Sequence, residues 1–121
     1  MRNILIIEDN DNNMELITFI LEAHGYKTIR AETGLLGCEL AFSSSPELII
    51  LDIQLPDIDG TEVLRRIREK IHDIPIIAMT SYAMAGDREK LIEAGCTGYI
   101  EKPIDPNRVI SQIEHYLGDY A

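Results

Sequence analysis

The chain has 121 residues, of which 45% are hydrophobic and 26% are charged, as is typical of one globular domain rather than two. Its 21 acidic residues outnumber its 11 basic residues and give a formal net charge of −10, which argues against nucleic acid or an anionic membrane as a direct partner. No apolar segment is long enough to span a membrane, and acidic residues follow the first apolar run too closely for a signal peptide, so we expect a cytoplasmic protein.

The first half of the chain alternates predicted strands with predicted helices. Residues 3–7 are apolar and β-branched, which predicts a strand, and the helix after them is predicted to end at Gly25. Residues 26–31 form a shorter and more polar predicted strand, which favours the edge of a sheet, and Thr33 is predicted to cap a second helix. The residues predicted to share the inner faces of these helices are Met14, Ile17, Ile20, Leu21 and His24 in the first and Leu36 and Leu40 in the second.

The second half continues the same alternation. Residues 48–51, 75–79 and 98–101 are predicted as the third, fourth and fifth strands. The fourth helix is predicted to end at Gly95, and Asp105-Pro106 is predicted to begin the fifth as its N-cap and first helical residue. The residues predicted to face inward are Val63, Leu64, Ile67 and Ile71 in the third helix and Val109, Ile110, Ile113, Tyr116 and Leu117 in the fifth.

This alternation predicts an α/β fold with a five-stranded parallel sheet in the order 2-1-3-4-5 and helices on both faces, as in flavodoxin-like doubly wound proteins. We expect residues 1–121 to form one domain. Because the chain ends a few residues past the fifth helix, we expect no output domain, and Met1 directly before the first strand favours a native start.

Polar side chains follow four of the five predicted strands. They are Glu8 and Asp9 after the first strand, Asp52 after the third, Thr80 and Ser81 after the fourth and Lys102 after the fifth. Because the carboxyl ends of parallel strands share one edge, these groups are expected to meet where the strand order reverses, between the first and third strands. Clustered carboxylates raise one another's pKa unless a cation lies among them, and few carboxylates with room for water favour Mg²⁺ over Ca²⁺.

Such a crevice suits phosphoryl chemistry. A carboxylate beside a metal can attack phosphorus and form an acyl phosphate, which is a role open to Asp52. Lys102 supplies a positive charge for phosphoryl oxygens, and Thr80 supplies a hydroxyl group. Asp57 and Asp59, by contrast, are predicted to cap the third helix and turn the chain into it.

Four segments resemble, in order and spacing, those of the receiver domains of two-component response regulators. They are "IIEDN", "LDIQLPDIDG", "MTSYA" and "YIEKP". Each segment is a weak signal alone, but the ordered set is specific and the resemblance covers essentially the whole chain. It implies a stand-alone signalling switch and not an enzyme, one that catalyses only its own phosphotransfer and autodephosphorylation.

The resemblance implies that Asp52 accepts a phosphoryl group from a histidine kinase or a histidine phosphotransfer protein. It also implies that Mg²⁺ is bound directly by Asp9, Asp52 and the backbone carbonyl of Gln54, with Glu8 acting largely through metal-bound water. These four residues are therefore the expected metal site.

The remaining implied roles concern the phosphoryl group and the switch. Lys102, Thr80 and Ser81 are expected to contact the phosphoryl group, with Thr80 moving toward it and Tyr99 turning inward. A cis peptide bond before Pro103 is implied as well. Readout is expected on the face of the fourth helix, fifth strand and fifth helix, through an unidentified protein partner, in a monomer or a phosphorylation-dependent dimer.

Three alternatives stay open at this point. The chain could be a receiver excised from a larger regulator or hybrid kinase. A haloacid-dehalogenase-type Mg²⁺-dependent phosphatase uses similar groups, but its nucleophile usually opens a D-x-D segment after the first strand, whereas this segment reads Asp52-Ile53-Gln54. A flavodoxin-like FMN carrier needs a phosphate loop after the first strand, where "EDNDNN" offers carboxylates that repel phosphate.

The cysteines and histidines carry no predicted function. Cys38 and Cys96 have no second thiol or histidine at metal-ligand spacing and are expected to be small buried hydrophobic residues without a disulfide. His24, His72 and His115 are scattered along the chain, and we expect them to be surface residues.

Overall fold

The computed structural model describes residues 2–81 and 85–118, and within residues 85–88 it describes the backbone alone. Five strands alternate with five helices along the described chain. They are β1 (Asn3–Ile7), α1 (Asp11–Ala23), β2 (Lys27–Ala31), α2 (Gly34–Ser43), β3 (Leu48–Asp52), α3 (Gly60–Arg68), β4 (Ile76–Thr80), α4 (Ala85–Ala94), β5 (Gly98–Glu101) and α5 (Val109–Leu117).

The strands form one parallel sheet in the order β2-β1-β3-β4-β5, which confirms the predicted topology. β2 lies at one edge and is partly exposed, as its polar sequence predicts. β3 and β4 are buried at every residue, which is typical of strands that helices cover on both faces. Asp52 lies in register with Met79, and Thr80 lies in register with Glu101, so the polar ends of these strands lie side by side.

The core has two layers, one on each face of the sheet, because successive residues of a strand point to opposite sides. Ile4 and Ile6 of β1 belong to the layer under α1 and α5. Leu5 and Ile7 belong to the layer under α2, α3 and α4. The inward-facing residues predicted for the helices and found buried are Met14, Ile17, Ile20, Leu21, Val63, Leu64, Ile67, Val109 and Ile113.

Side-chain caps explain where three of the helices begin. Asn10 Oδ1 accepts a hydrogen bond from the Asn13 N–H at 3.0 Å at the start of α1. Thr33 caps α2 as predicted, since its hydroxyl oxygen accepts from the Leu36 N–H at 3.2 Å. Asp59 caps α3, as predicted, by accepting from the Thr61 N–H at 2.9 Å.

The last helix begins later than predicted, at Val109 and not at Pro106. The Asp105 carboxylate accepts a hydrogen bond from the Asn107 N–H at 2.9 Å, and the Asp105 carbonyl oxygen accepts from the Val109 N–H at 3.0 Å. A local side-chain bond of this kind stabilises a turn in place of the first helical turn. Asp105 therefore caps a turn, and the helix follows it.

Two predictions about inner helix faces are wrong. His24 is exposed, because α1 ends at Ala23 and His24 is its C-cap. Leu36 is 39% exposed, whereas Gly37 on the same helix is buried. A Cβ atom on Gly37 would lie 2.5 Å from Ile7 Cδ1, so α2 approaches the sheet through its smallest residues and turns Leu36 outward.

Two further predictions about the third helix are corrected. Ile71 lies beyond α3, which ends at Arg68, and is half-buried. The Asp57 carboxylate does not cap α3. It instead accepts hydrogen bonds at 2.8 Å from the N–H groups of both Gly34 and Leu35, at the start of α2. The loop after β3 folds back against a helix that precedes it in the chain.

The predictions that both cysteines are buried and that the three histidines are surface residues are confirmed. Cys38 and Cys96 are free and buried, and burial raises the pKa of both thiols. His24, His72 and His115 are exposed. No helix in the described part of the chain is long and apolar enough to cross a lipid bilayer.

Candidate functional site

The groups predicted to converge lie together at the carboxyl edge of the sheet. Glu8 and Asp9 follow β1, Asp52 ends β3, and these two strands are neighbours at the sheet's centre. A carboxylate oxygen from each of the three residues lies within 4.8 Å of an oxygen of the others. Glu8 is fully buried and Asp52 is 2% exposed, whereas Asp9 is exposed to solvent. The cluster thus has a buried floor and an open side.

Lys102 supplies the positive charge at this cluster. Its ammonium nitrogen lies 3.1 Å from Asp52 Oδ2 and 3.4 Å from Glu8 Oε1, with only 15% of the side chain exposed. The backbone N–H of Lys102 donates to the Thr80 carbonyl oxygen at 2.9 Å, which fixes the lysine beside the end of β4. The peptide bond between Lys102 and Pro103 is cis, as the resemblance implied.

Glu8 is an unusual carboxylate, because burial and the nearby Asp52 raise its pKa to about 7 against the weaker effects of Asn10 and Lys102. Glu8 Oε2 accepts a hydrogen bond from the Asn10 N–H at 3.2 Å. Among the described residues, Glu8 Oε1 is buried without a hydrogen-bond donor, although the Lys102 ammonium lies at ion-pair distance. A bound cation or a water attached to it would satisfy this oxygen, so the donor set fits Mg²⁺.

The segment after Asp52 orients its carboxylate. Asp52 Oδ1 accepts a hydrogen bond from the Gln54 N–H at 3.0 Å, and Gln54 itself is exposed. The Gly60 N–H donates to the Ile53 carbonyl oxygen at 3.0 Å and closes the base of the loop. A Cβ atom on Gly60 would lie 2.5 Å from the Ile53 Cα atom and 3.0 Å from the Asp52 carbonyl oxygen, so only glycine permits this approach.

The remaining predicted residues lie around the cluster at different depths. Thr80 is buried at the end of β4, and Ser81 after it is exposed. Tyr99 is half-buried in β5, in register with Ala78. It also lines an open cavity of about 520 Å³ between β5 and α5, whose wall includes Lys102. Lys102 thus borders both the acidic cluster and this cavity.

Sequence reasoning missed two contributors to this site. The backbone N–H of Asn10 holds Glu8, although the sequence indicates Asn10 only as a candidate cap of the first helix. Gly60 is required by a backbone approach to Ile53, whereas its place in the sequence suggests only an easy turn. In the sequence, the Asp59-Gly60 pair directly before a predicted helix is the signal that points to Gly60.

This arrangement is equipped for one kind of chemistry. Asp52 presents a buried carboxylate with one oxygen held by a backbone N–H group and the other paired with an ammonium group. The neighbouring acids of Glu8 and Asp9 can hold a divalent cation without taking part in a covalent bond. A carboxylate nucleophile, a fixed cation and a metal site are the parts that phosphoryl transfer to an aspartate requires.

Comparison with known proteins agrees with this geometry. The family model of the response regulator receiver domain matches residues 4–114. The polar-differentiation response regulator DivK of Brucella ovis is 45% identical over 120 residues, which cover 98% of this chain and 98% of that protein. The protein of the same name from Brucella anthropi is 44% identical over 120 residues, with 98% of both chains covered.

Solved structures give the same result. A CheY-like receiver domain protein from Methanospirillum hungatei matches with a TM-score of 0.92 and 29% identity, covering 98% of this chain and 95% of that one. The receiver domain of a sensor histidine kinase from Pseudomonas aeruginosa matches with a TM-score of 0.88 and 31% identity, covering 97% and 98%, and has a magnesium ion in its active-site cleft. These likenesses do not favour a phosphatase or an FMN carrier. The chain therefore belongs to the family of response regulator receiver domains, whose members are signalling switches and not classical enzymes.

Proposed function

We propose that this chain is a phosphorylation-dependent switch of a two-component system in which Asp52 accepts the phosphoryl group. The observation that carries the proposal is the placement of Asp52 at the buried end of β3, with Lys102 at 3.1 Å and two further carboxylates within 4.8 Å. A receiver domain implies a sensor histidine kinase or a histidine phosphotransfer protein as the donor.

We further propose that Mg²⁺ is held by Asp9, Asp52 and the backbone carbonyl of Gln54, with Glu8 acting through a metal-bound water. Among the described residues Glu8 Oε1 accepts no hydrogen bond and has only the Lys102 ammonium at 3.4 Å, and this oxygen and the raised pKa of Glu8 support a cation at this place. When bound, the ion neutralises charge on the acids and on the incoming phosphoryl group, so that one anion can approach another. The Pseudomonas receiver domain has magnesium in its active-site cleft, which supports Mg²⁺ as the cation proposed here.

The transfer itself follows from the Asp52 carboxylate. A lone pair on a carboxylate oxygen of Asp52 attacks the phosphorus of a phosphohistidine. An O–P bond forms as the P–N bond breaks, and the imidazole leaves with the bonding electrons. Lys102, already paired with Asp52, stabilises the negative charge that is spread over the phosphoryl oxygens. In autodephosphorylation a water oxygen attacks the phosphorus of the same acyl phosphate, the bond between Asp52 and phosphorus breaks, and inorganic phosphate leaves. The exposed Gln54, two residues after Asp52, is a candidate to influence this step.

The switch is proposed to arise from the hydroxyl at the end of β4. After transfer, Thr80 and Ser81 become hydrogen-bond donors to the new phosphoryl oxygens, while Lys102 keeps its ion pair with the group. Movement of Thr80 leaves space that Tyr99 fills from β5, which changes the cavity between β5 and α5. This route supports the face of α4, β5 and α5 as the surface that an unidentified protein target reads.

The wider setting is also part of the proposal. Residues 1–121 act as a single receiver domain in the cytoplasm, where kinases or phosphotransfer proteins are available as donors. The acidic surface, with its formal net charge of −10, supports protein partners in preference to nucleic acid or anionic lipid. The domain acts as a monomer or as a dimer that forms on phosphorylation.

The experiment that tests the proposal is intact-protein mass spectrometry after incubation with acetyl phosphate and Mg²⁺. We expect one phosphoryl adduct in the wild type and none in Asp52→Asn or after addition of EDTA. The matched control is Asp59→Asn, which alters an acid in the same loop that caps α3 and should leave the adduct in place. An adduct that persists in Asp52→Asn would overturn the assignment of the acceptor, as would a wild type that no phosphodonor modifies.

A further inference from the structure

The loop from Ile53 to Asp59 connects the proposed phosphoacceptor to α3 and is tied to the fold at its base. The Ile53 N–H donates to the Met79 carbonyl oxygen at 3.2 Å, and the Gly60 N–H donates to the Ile53 carbonyl oxygen at 3.0 Å. At the start of the loop, the Gln54 N–H holds Asp52 Oδ1. The orientation of the reacting carboxylate therefore depends on the path of this loop.

The far end of the loop is tied to a different element. Asp57 Oδ1 accepts a hydrogen bond from the Gly34 N–H, and Asp57 Oδ2 accepts one from the Leu35 N–H, both at 2.8 Å. The first N–H groups of a helix have no partner within the helix, so α2 offers these donors outward. Although desolvation raises the pKa of Asp57, the N–H groups of Leu35 and Gly34 hold it below its usual value, and the carboxylate is ionised at neutral pH.

The contact between the loop and α2 is close as well as polar. A Cβ atom on Gly34 would lie 2.7 Å from Ile58 Cγ1 and 3.2 Å from Asp57 Oδ1. Ile58 is half-buried and packs against the core layer under α2, α3 and α4. Asp57 and Ile58 thus pack closely against the first turn of α2. This contact fixes the position of that part of the loop relative to the helix.

A short and stiff segment joins this contact to the reacting groups. Only Leu55 and Pro56 separate Gln54 from Asp57, and proline restricts its own backbone torsion. A shift of Asp57 therefore displaces Gln54, whose N–H group holds the Asp52 carboxylate and whose carbonyl is a proposed metal ligand.

We infer that Asp57 is a positioning residue for the chemistry of Asp52, which it supports by fixing the β3–α3 loop to the first turn of α2. This inference rests on the proposed function, because it assigns Asp57 a role in that same phosphoryl transfer and metal binding. A purely structural role would make Asp57 a second cap of α2 beside Thr33, and the two roles predict different outcomes.

The test compares two residues that cap the same helix. Asp57→Ala removes acceptors that also hold the loop. Thr33→Ala removes the acceptor of the Leu36 N–H, a hydrogen bond that does not involve a loop residue. Stability is measured by urea unfolding, Mg²⁺ affinity by titration of the free protein, and phosphorylation by the initial rate with acetyl phosphate. We expect Asp57→Ala to weaken Mg²⁺ binding and slow phosphorylation by about tenfold each, and Thr33→Ala to change neither by more than about twofold.

The conservative variant Asp57→Asn keeps one acceptor oxygen and is expected to recover most of the rate lost in Asp57→Ala. The inference is overturned if Asp57→Ala matches Thr33→Ala in Mg²⁺ affinity and rate. If Asp57→Ala does not fold, Asp57→Ser, whose single hydroxyl replaces the two carboxylate oxygens that accept from Gly34 and Leu35, is compared with Thr33→Ala by the same criterion. A wild type that neither binds Mg²⁺ nor forms an adduct would instead overturn the proposed function, and this result is distinct from any difference between the variants.

Discussion

The ammonium nitrogen of Lys102 lies 3.1 Å from Asp52 Oδ2. Asp52 ends β3 and Lys102 follows β5, and β4 lies between these two strands in the sheet. The hydrogen bond from the Lys102 N–H to the Thr80 carbonyl oxygen brings the lysine backbone beside the end of β4. The side chain then passes across that strand end to reach β3. The proposed nucleophile is thus paired with its cation before any phosphodonor arrives.

Replacing this lysine by methionine tests its part in the chemistry. We expect Lys102→Met to slow phosphorylation by acetyl phosphate about 100-fold, because a fixed cation beside the developing charge is lost. Mg²⁺ binding should remain, since the acids are left without a competing ammonium group. Initial rates and Mg²⁺ titrations check both expectations. Lys70→Met, which changes an exposed lysine after α3, is the control, and an unchanged rate in Lys102→Met would contradict the role.

The raised pKa of Glu8 predicts a pH dependence of metal binding. Between its ordinary value of 4.5 and its folded value of about 7, the folded protein holds the Glu8 proton more tightly than the unfolded chain does. The free energy of unfolding without metal should therefore fall as the pH rises through this range. Mg²⁺ requires the ionised acid, so its affinity should rise by up to about tenfold per pH unit as the pH approaches 7. Titrations at several pH values, with Glu8→Gln as the variant that loses this dependence, provide the check.

Asp9 differs from the other two acids because it is exposed, and this difference predicts a selective effect. Asp9→Asn should leave the stability of the metal-free protein nearly unchanged, since no buried charge is altered. In the wild type, Mg²⁺ at about 100 times its Kd should raise the free energy of unfolding by about 2.7 kcal/mol, and most of this gain should be lost in the variant. Thermal unfolding with and without Mg²⁺ measures it. Asp73→Asn, at another exposed acid, should keep the full gain.

Gly60 is predicted to tolerate no side chain, because its Cβ atom would lie 2.5 Å from the Ile53 Cα atom. Gly60→Ala should lower the free energy of unfolding by about 2 kcal/mol and slow phosphorylation, since the backbone next to Asp52 has to move. Urea unfolding and initial rates test the two effects.

The matched control for that variant is Gly25→Ala. Gly25 has a φ of 88° and no atom within 4 Å of its Cβ position, so alanine there costs about 1 kcal/mol through backbone strain alone. It lies away from the acidic cluster and should leave the phosphorylation rate intact. A Gly60→Ala protein that phosphorylates at the wild-type rate would show that the close approach to Ile53 has no bearing on Asp52.

The sheet and the acidic cluster could be predicted because both follow from local patterns. Alternating apolar strands and amphipathic helices lead to a parallel sheet, and a parallel sheet brings every strand's carboxyl end to one edge. Glu8, Asp52 and Lys102 could therefore be grouped without knowledge of any contact between them. Their burial could not be predicted in the same way, because it depends on how closely the surrounding elements pack.

The errors have a common physical origin in contacts between distant segments. Asp57 could not be assigned to α2 from sequence, since its partners Gly34 and Leu35 lie on a helix more than twenty residues earlier. The hydrophobic side chain of Leu36 predicts an inward position, but the close approach of α2 to Ile7 leaves room only for small residues on the inner face. The Asp105-Pro106 pair predicts the start of α5, whereas a hydrogen bond from the Asn107 N–H to the Asp105 carboxylate stabilises a turn there.

The full burial of β3 and β4 has a consequence for where phosphorylation can act. Separating these strands would expose both core layers at once, so their amide hydrogens should exchange with solvent only when the whole domain unfolds. Asp52 and Thr80 thus lie at the ends of strands whose amide hydrogens are expected to exchange slowly. Because the sheet resists deformation, a structural response to a new charge at this edge is expected in the loops and helices that surround the edge.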